Sequence, residues 1–267
     1  MNSNNYEELD LDTIEAMSLC IQTEFIRQRN YIIDNAGLKT HISKKDGSPQ
    51  TEIDIKVENA VLLSFRSKFP DVAIYGEESG YDSTMPEIFW LIDPIDGTAS
   101  YMKNILSFTC MAVLVIDKQA FASIIYNPTT QDMFTCIKNH GAYKNGVLLD
   151  LAKIPLPRIA LSKGRYISTL NELLEPNGIE CKIGDVGAGY GFSMVAEGKS
   201  AARFQLNSKG YPHDYATGSL LVEESGGIII LVNDKEHNYL TRSFVACHPE
   251  ISGLIEQNIT LIRNIEG

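Results

Sequence analysis

The sequence has no long hydrophobic run. Across 267 residues no apolar stretch approaches the roughly 18 positions a helix needs to span a bilayer, which argues against a helical membrane protein. It has no basic excess: 34 acidic residues against 23 basic ones leave a net charge of −11, which argues against a broad nucleic-acid surface. The first residues, Met1 to Leu11, are polar and acidic and lack the apolar core of a signal peptide. Cys20, Cys110, Cys136, Cys181 and Cys247 are odd in number, widely spaced and never C-x-x-C. They predict small core residues in a reduced, cytoplasmic setting rather than a disulfide framework. His41, His140, His237 and His248 show no ligand spacing such as H-x-x-x-H and read as surface or core residues, with His213 set apart. No Ser-His or Cys-His pair stands at local spacing, so no covalent nucleophile is called for.

What is present is enough apolar residue, 44%, for a full core. It also has one unusual stretch, Trp90 to Thr98, reading W-L-I-D-P-I-D-G-T. The apolar run from Ile88 to Ile92 predicts a buried strand. Pro94 cannot donate a ladder hydrogen bond, so the strand is expected to stop there, with Asp93 at its end and Asp96 turned to the same point. Gly97 removes bulk, and Thr98 opens a helix whose first N–H groups can meet an anion. Two carboxylates beside such a helix start suit a phosphate held through Mg²⁺, and a metal lets an acidic protein accept an anionic substrate. Taken alone, D-x-x-D-G-T serves equally well as an acidic turn capping a helix.

Around this stretch, apolar spacing predicts helices over 9–29 and 53–69, joined by a mobile or merely connecting loop ending in Lys44-Lys45-Asp46-Gly47-Ser48-Pro49. Asp54, in the first turn of the second helix, suits the helix dipole. A short strand over 72–75 runs into Gly76-Glu77-Glu78-Ser79-Gly80. Strand-like runs over 109–116, 121–126 and 133–137 predict an antiparallel meander. The second half alternates: strands over 159–162, 181–183, 201–206, 228–232 and 244–247, and helices over 167–174, 187–197, 214–225 and 248–263. One catalytic domain over 1–267 is expected, with any subdivision near 149–156.

Three motifs, Gly76-Glu77-Glu78-Ser79, Asp93-Pro94-Ile95-Asp96-Gly97-Thr98 and Asp214-x-Ala216-x-Gly218 running to Gly226-Gly227, together resemble the inositol monophosphatase family of Mg²⁺-dependent, Li⁺-sensitive phosphomonoesterases. Asp46-Gly47-Ser48-Pro49 and the Thr51/Asp54 pair add a fourth match. The resemblance implies an α/β fold, a five-layered α/β/α/β/α sandwich, and a cytoplasmic homodimer. It implies two or three Mg²⁺ ions, with Mn²⁺ an alternative. Glu77, Asp93 and the carbonyl of Ile95 would hold the first, and Asp93, Asp96 and Asp214 the second. Gly97 and Thr98 would bind phosphate, while Glu77, Thr98 and Asp54 would act on the attacking water. Substrate contacts would come from Asp96, Gly187, Ala188, Gln205 and Asp214, and from the loop over 207–211.

The substrate it implies is a small phosphate monoester, by default inositol 1-phosphate. Fructose 1,6-bisphosphate, 3′-phosphoadenosine 5′-phosphate and histidinol phosphate are substrates of relatives. Some bacterial relatives instead act as regulatory partners of the transcription machinery. The chain departs from the pattern at His213 (usually Trp), Thr217 (usually small), Lys103 and Leu106 (usually His and Pro), and Gln205 (Glu in inositol-specific members). A neutral amide at 205 binds sugar hydroxyls less strongly than a carboxylate and repels a second phosphate less, which predicts broader specificity. Arg203 and Lys209 could reach such a phosphate if they point inward; otherwise they are solvated surface charges.

Overall fold

The computed structural model describes residues 9–38, 41–43, 49–80, 85–184, 186–206 and 210–266. Two helices come first. α1 spans Leu11–Asp34, is capped by the Asp10 carboxylate accepting from Thr13 N, and runs a turn beyond the expected 9–29. A two-residue pair, β1 (Ile42–Ser43) and β2 (Pro49–Gln50), precedes α2 (Glu52–Lys68). The expected loop at Lys44 to Ser48 lies outside the described residues.

A seven-stranded sheet follows in simple order: β3 (Ala73–Gly76), β4 (Ile88–Asp96), β5 (Thr109–Ile116), β6 (Gln119–Asn127), β7 (Asp132–Ile137), β8 (Ala142–Lys144) and β9 (Val147–Leu148). Only β3 and β4 pair in parallel, and the rest is the antiparallel meander the alternation predicts. A short helix, α3 (Thr98–Met102), sits between β4 and β5. The second sheet has five strands in the order β11-β10-β12-β14-β13. These are β10 (Ile159–Ser162), β11 (Glu180–Ile183), β12 (Ala202–Gln205), β13 (Ile228–Leu231) and β14 (Phe244–Cys247), with helices α4 (Ile167–Leu174), α5 (Ala188–Ala196) and α6 (Pro212–Glu224) between them.

Side-chain alternation sorts these elements into five layers. On the first sheet, Trp90, Ile92, Cys110, Ala112 and Ile124 face Met17, Phe25, Val57 and Phe65 of α1 and α2. Met111, Ile125 and Phe134 face the other way, onto Phe192 and Val195 of α5 and Leu221 of α6, which also meet Phe244 and Ala246 of the second sheet. The far face of that sheet, with Ala160, Phe204 and Val245, packs on α4 and the C-terminal helices. The order is therefore α1α2, sheet, α5α6, sheet, outer helices, which is the expected α/β/α/β/α sandwich. All five cysteines are free and buried, as expected of small core residues.

Two local expectations fail. β4 does not stop at Pro94 but continues to Asp96 with a register shift against β5. The terminal helix expected over 248–263 is two helices, α7 (Ser252–Gln257) and α8 (Ile259–Glu266). His248 precedes Pro249 and is extended, since the proline ring disfavours helical backbone in the residue before it. Asn258 breaks the run because its amide donates to Leu254 O at 2.9 Å, competing with the helical ladder.

The α2–β3 junction positions the first acidic motif. Asp54 and Glu58 lie four apart on one face of α2, and both are buried. The Glu58 carboxylate accepts from the N–H groups of Glu78 and Ser79, each at 2.7 Å, and so pins the turn that carries Glu77. A Cβ on Gly76 would stand 2.0 Å from Glu58 Cδ. Gly76→Ala is therefore expected to cost about 1–3 kcal/mol through overpacking, lowering the melting temperature of the metal-free protein by several degrees. An unchanged melting curve would show that Glu58 is not the fixed anchor of this turn.

Candidate functional site

Asp93 and Asp96 are three residues apart, an odd spacing that in a regular strand would send them to opposite faces. The structure avoids this with one extra residue. Asp93 pairs with Met111 and Asp96 with Thr109, so three steps on β4 match two on β5. Both aspartates then face the α5α6 layer. Pro94, which has no N–H to lose, sits inside the bulge, and Asp93 Oδ1 accepts from Ile95 N at 2.9 Å. Gly97 follows in the left-handed region at φ 85°, and a Cβ there would press on Gly187 Cα at 3.1 Å. It caps α3 without a side-chain hydrogen bond, and Gly97, Thr98 and Ala99 at the start of that helix line the cleft.

The remaining groups arrive from three other elements. Glu77 follows β3 in the turn held by Glu58. Asp214 stands in the first turn of α6, its Oδ2 accepting from Tyr211 N at 2.8 Å. Asp54 caps α2 through Thr51, whose backbone N–H donates to it at 2.8 Å and whose hydroxyl bonds the same carboxylate oxygen. Thr98 Oγ1 lies 3.0 Å from Ile95 O and 3.4 Å from Asp54 Oδ1. Glu77, Asp93, Ile95, Asp96, Gly97, Thr98 and Asp214 line one cleft of about 250 Å³, together with Pro49, Gly210 and Tyr211. The carboxylates of Glu77, Asp93 and Asp214 and a ring nitrogen of His213 lie within 4.8 Å of one another.

Asp96 is held differently. Its Oδ1 accepts from Ala188 N at 2.7 Å, and its Oδ2 from Gly189 N and Thr109 Oγ1, both at 2.8 Å. It thus caps α5 and ties the first sheet to the central helices. Each carboxylate oxygen has two lone pairs, so these bonds leave acceptor capacity towards the cleft. Gly187 and Ala188, expected as substrate contacts, lie beside Gly97 and Asp96 and are not among the described residues lining the cleft. Gln205 is buried at the end of β12, where its amide oxygen accepts from Arg203 Nε at 3.1 Å, and it is not among the described residues lining the cleft.

Arg203 is not a solvated surface charge. It is buried beneath α5, its guanidinium 4.9 Å from the centre of the Phe192 ring. Lys209 and the loop at 207–209 lie outside the described residues. Lys103 and Leu106 are exposed, and Thr217 is buried, its hydroxyl donating to His213 O at 2.7 Å.

The electrostatics call for a cation. Burial pushes the Asp54 carboxyl up to about 6 and the Asp214 carboxyl up to about 7. Asp93 is raised well above the usual carboxylate range by burial and by the charges of Glu77, Asp96 and Asp214. Asp96 is raised by burial, against the pull of its Ala188, Thr109 and Gly189 hydrogen bonds. Oxygen-rich donors crowded until they resist ionisation match a divalent ion, which replaces the missing countercharge. His213 and Glu58 are the groups the sequence reading undervalued. His213 was legible only as a histidine beside Asp214, and Glu58 only as an acid four residues after Asp54.

The chain matches the family model described as "Inositol monophosphatase family" over residues 7–263. It belongs to the inositol monophosphatase family. The inositol monophosphatases are phosphatases, and this chain is an enzyme of that class. Among its relatives, the Nus factor SuhB of Escherichia coli (strain K12) is 28% identical over 213 residues, which cover 75% of this chain and 78% of that protein. An inositol monophosphatase structure from Thermotoga maritima superposes with a TM-score of 0.78 at 20% identity, covering 94% of this chain and 97% of that one. A structure titled an inositol monophosphatase/NADP phosphatase complexed with Mg²⁺ and phosphate superposes at 0.77, with 18% identity and coverage of 96% and 97%. These two share the fold of the chain.

The raised carboxyl values set a pH dependence for the metal-free protein. A carboxyl whose folded pKa exceeds its unfolded 3.8 stabilises the fold while protonated, and that contribution is lost as pH rises through the folded value, here towards about 7. The metal-free melting temperature is expected to fall between about pH 4 and 7, and added Mg²⁺ to raise it more at the upper end. A Mg²⁺ shift equal at both ends, with no fall, would show that these carboxyls ionise as ordinary ones.

Proposed function

We propose that the chain is a Mg²⁺-dependent phosphatase of small phosphate monoesters, with inositol 1-phosphate as the default substrate. The observation that carries this reading is the convergence of Glu77, Asp93, Asp96 and Asp214 from three elements, the turn after β3, β4 and α6, on the glycine-headed turn at Gly97. Two or three ions would be held by Glu77, Asp93, the Ile95 carbonyl, Asp96 and Asp214, supplying when bound an activated water and charge neutralisation at the phosphate. Gly97 and Thr98 would present N–H groups to the phosphate oxygens. Asp54 and Thr98 would orient the attacking water, the carboxylate taking up its proton. Asp96, Gly187, Ala188 and Gln205 would face the leaving group. The engagement of the Gln205 amide oxygen by Arg203 supports a specificity broader than that of a dedicated inositol phosphatase, with bisphosphates accepted.

The test is a Mg²⁺-dependent phosphate-release screen over inositol 1-phosphate, fructose 1,6-bisphosphate, 3′-phosphoadenosine 5′-phosphate, histidinol phosphate and NADP. Asp93→Asn is expected to lower turnover by at least about 10²–10³-fold on every accepted substrate, the loss typical of removing one electrostatic stabiliser. The variant should keep its fold, because a charge leaves a crowded buried cluster. Wild-type release from this variant under saturating Mg²⁺ would sink the reading.

Lithium gives an independent check. Li⁺ is expected to inhibit uncompetitively, with a matched Na⁺ control inert. Activity indifferent to Li⁺ would show that the metal site at Asp214 differs from the family's. We also propose that 1–267 acts as a single catalytic domain in a cytoplasmic homodimer, running in size exclusion at twice its 29.6 kDa.

One observation favours a second role: the Escherichia coli relative is named a Nus factor. We propose that this chain can likewise serve as a partner of the transcription machinery. A pull-down that captures such a partner with Asp93→Asn as well as with wild type would establish a role separate from catalysis.

A further inference from the structure

His213 sits at the acidic cluster without having been needed by any reading of it. The imidazole is fully buried, and its Nε2 lies 3.2 Å from Glu77 Oε2 and 3.5 Å from Asp214 Oδ1. Its plane is set by the Tyr211 ring, stacked at 5.4 Å and 12°, and by its place in the first turn of α6. Nδ1 is buried with no hydrogen-bond partner among the described residues, so the tautomer is decided by what faces Nε2. The Glu77 carboxylate draws the ring proton to Nε2. A cation among the carboxylates favours the other tautomer and leaves the Nε2 lone pair to bind it.

The spacing suits a shared ion. Donors of one ion at about 2.1 Å stand about 3 Å apart when adjacent and about 4.2 Å when opposite. The four donor atoms of Glu77, Asp93, Asp214 and His213 all lie within 4.8 Å of one another, so the widest pair closes by up to about 0.6 Å when one ion takes all four. Mg²⁺ takes oxygen and leaves a nitrogen donor little used, whereas the transition ions accept imidazole with an affinity that rises from Mn²⁺ through Co²⁺ to Cu²⁺ and falls again at Zn²⁺.

We propose that His213 is a nitrogen ligand of the first ion, the one at Glu77 and Asp93, with the Asp214 carboxylate bordering it, and that it shifts this site towards a borderline divalent transition ion over Mg²⁺. The proposal rests on the metal-site reading above, but not on any substrate. Every carboxylate site binds such ions somewhat more tightly than Mg²⁺, so the ligand itself has to be tested by comparison.

The experiment uses the full chain stripped with a chelator and the probes Co²⁺ and Mg²⁺ alone. Calorimetry on wild type and His213→Phe, which keeps a ring against Tyr211 and removes the donor, gives the Co²⁺-over-Mg²⁺ preference. It is expected to fall about tenfold or more in the variant, that is about 1.4 kcal/mol. In the Co²⁺-loaded wild type, proton NMR should show a strongly shifted, exchangeable imidazole N–H, which His213→Phe abolishes. This readout needs neither turnover nor a well-folded variant. Absence of that signal from the wild type, or an unchanged preference in a folded variant, overturns the proposal. Failure of the phosphate-release screen with the signal present would instead strike the phosphatase reading and leave the ligand assignment standing.

Discussion

One extra residue in β4 decides where the acidic side chains point. Without the bulge between Asp93 and Asp96, their odd spacing would divide them between the two faces of the sheet. One would enter the α1α2 core, where an unpaired carboxylate has no partner. With the bulge, both face the central helices, and the chain can turn at Gly97 towards α3. Pro94 makes the bulge inexpensive, because a bulge leaves a backbone donor unpaired and proline has none.

The central layer then completes what the bulge begins. α5 offers its first N–H groups to Asp96, and α6 brings Asp214 and His213 within reach of Glu77 and Asp93. These two helices are covered by a sheet on each side, so their starts are held by packing far from the cleft: Phe192 stacks on Phe244, and Leu221 is fully buried. The acidic groups repel one another and are desolvated, and the surrounding core holds them together despite that. A site built this way is strained towards a cation before any substrate arrives, which suits chemistry on an anionic phosphate.

The sequence carried the period of nearly every element and the composition of the core. Trp90 and Ile92 on one face of β4, and the meander behind them, follow from alternation alone. The departures are local competitions that pattern reading does not weigh. Pro94 reads as a strand stop, yet a bulge accommodates it. Asn258 reads as an ordinary helical residue, yet its amide finds Leu254 O. Arg203 reads as either a phosphate contact or a surface charge, yet β12 lies beneath α5 and buries it against Phe192.

From sequence alone came the acidic motifs, the turn at Gly97, the alternating elements and, through their resemblance, the family. Each of these is written in residues close along the chain, where backbone geometry and side-chain period fix the outcome. The fold decided what depends on distance: that Glu58 pins the turn of Glu77, that Asp96 caps α5, and that His213 faces Glu77 across 136 positions of sequence. Such contacts are set by how layers pack, and packing is a property of surfaces brought together rather than of any one segment.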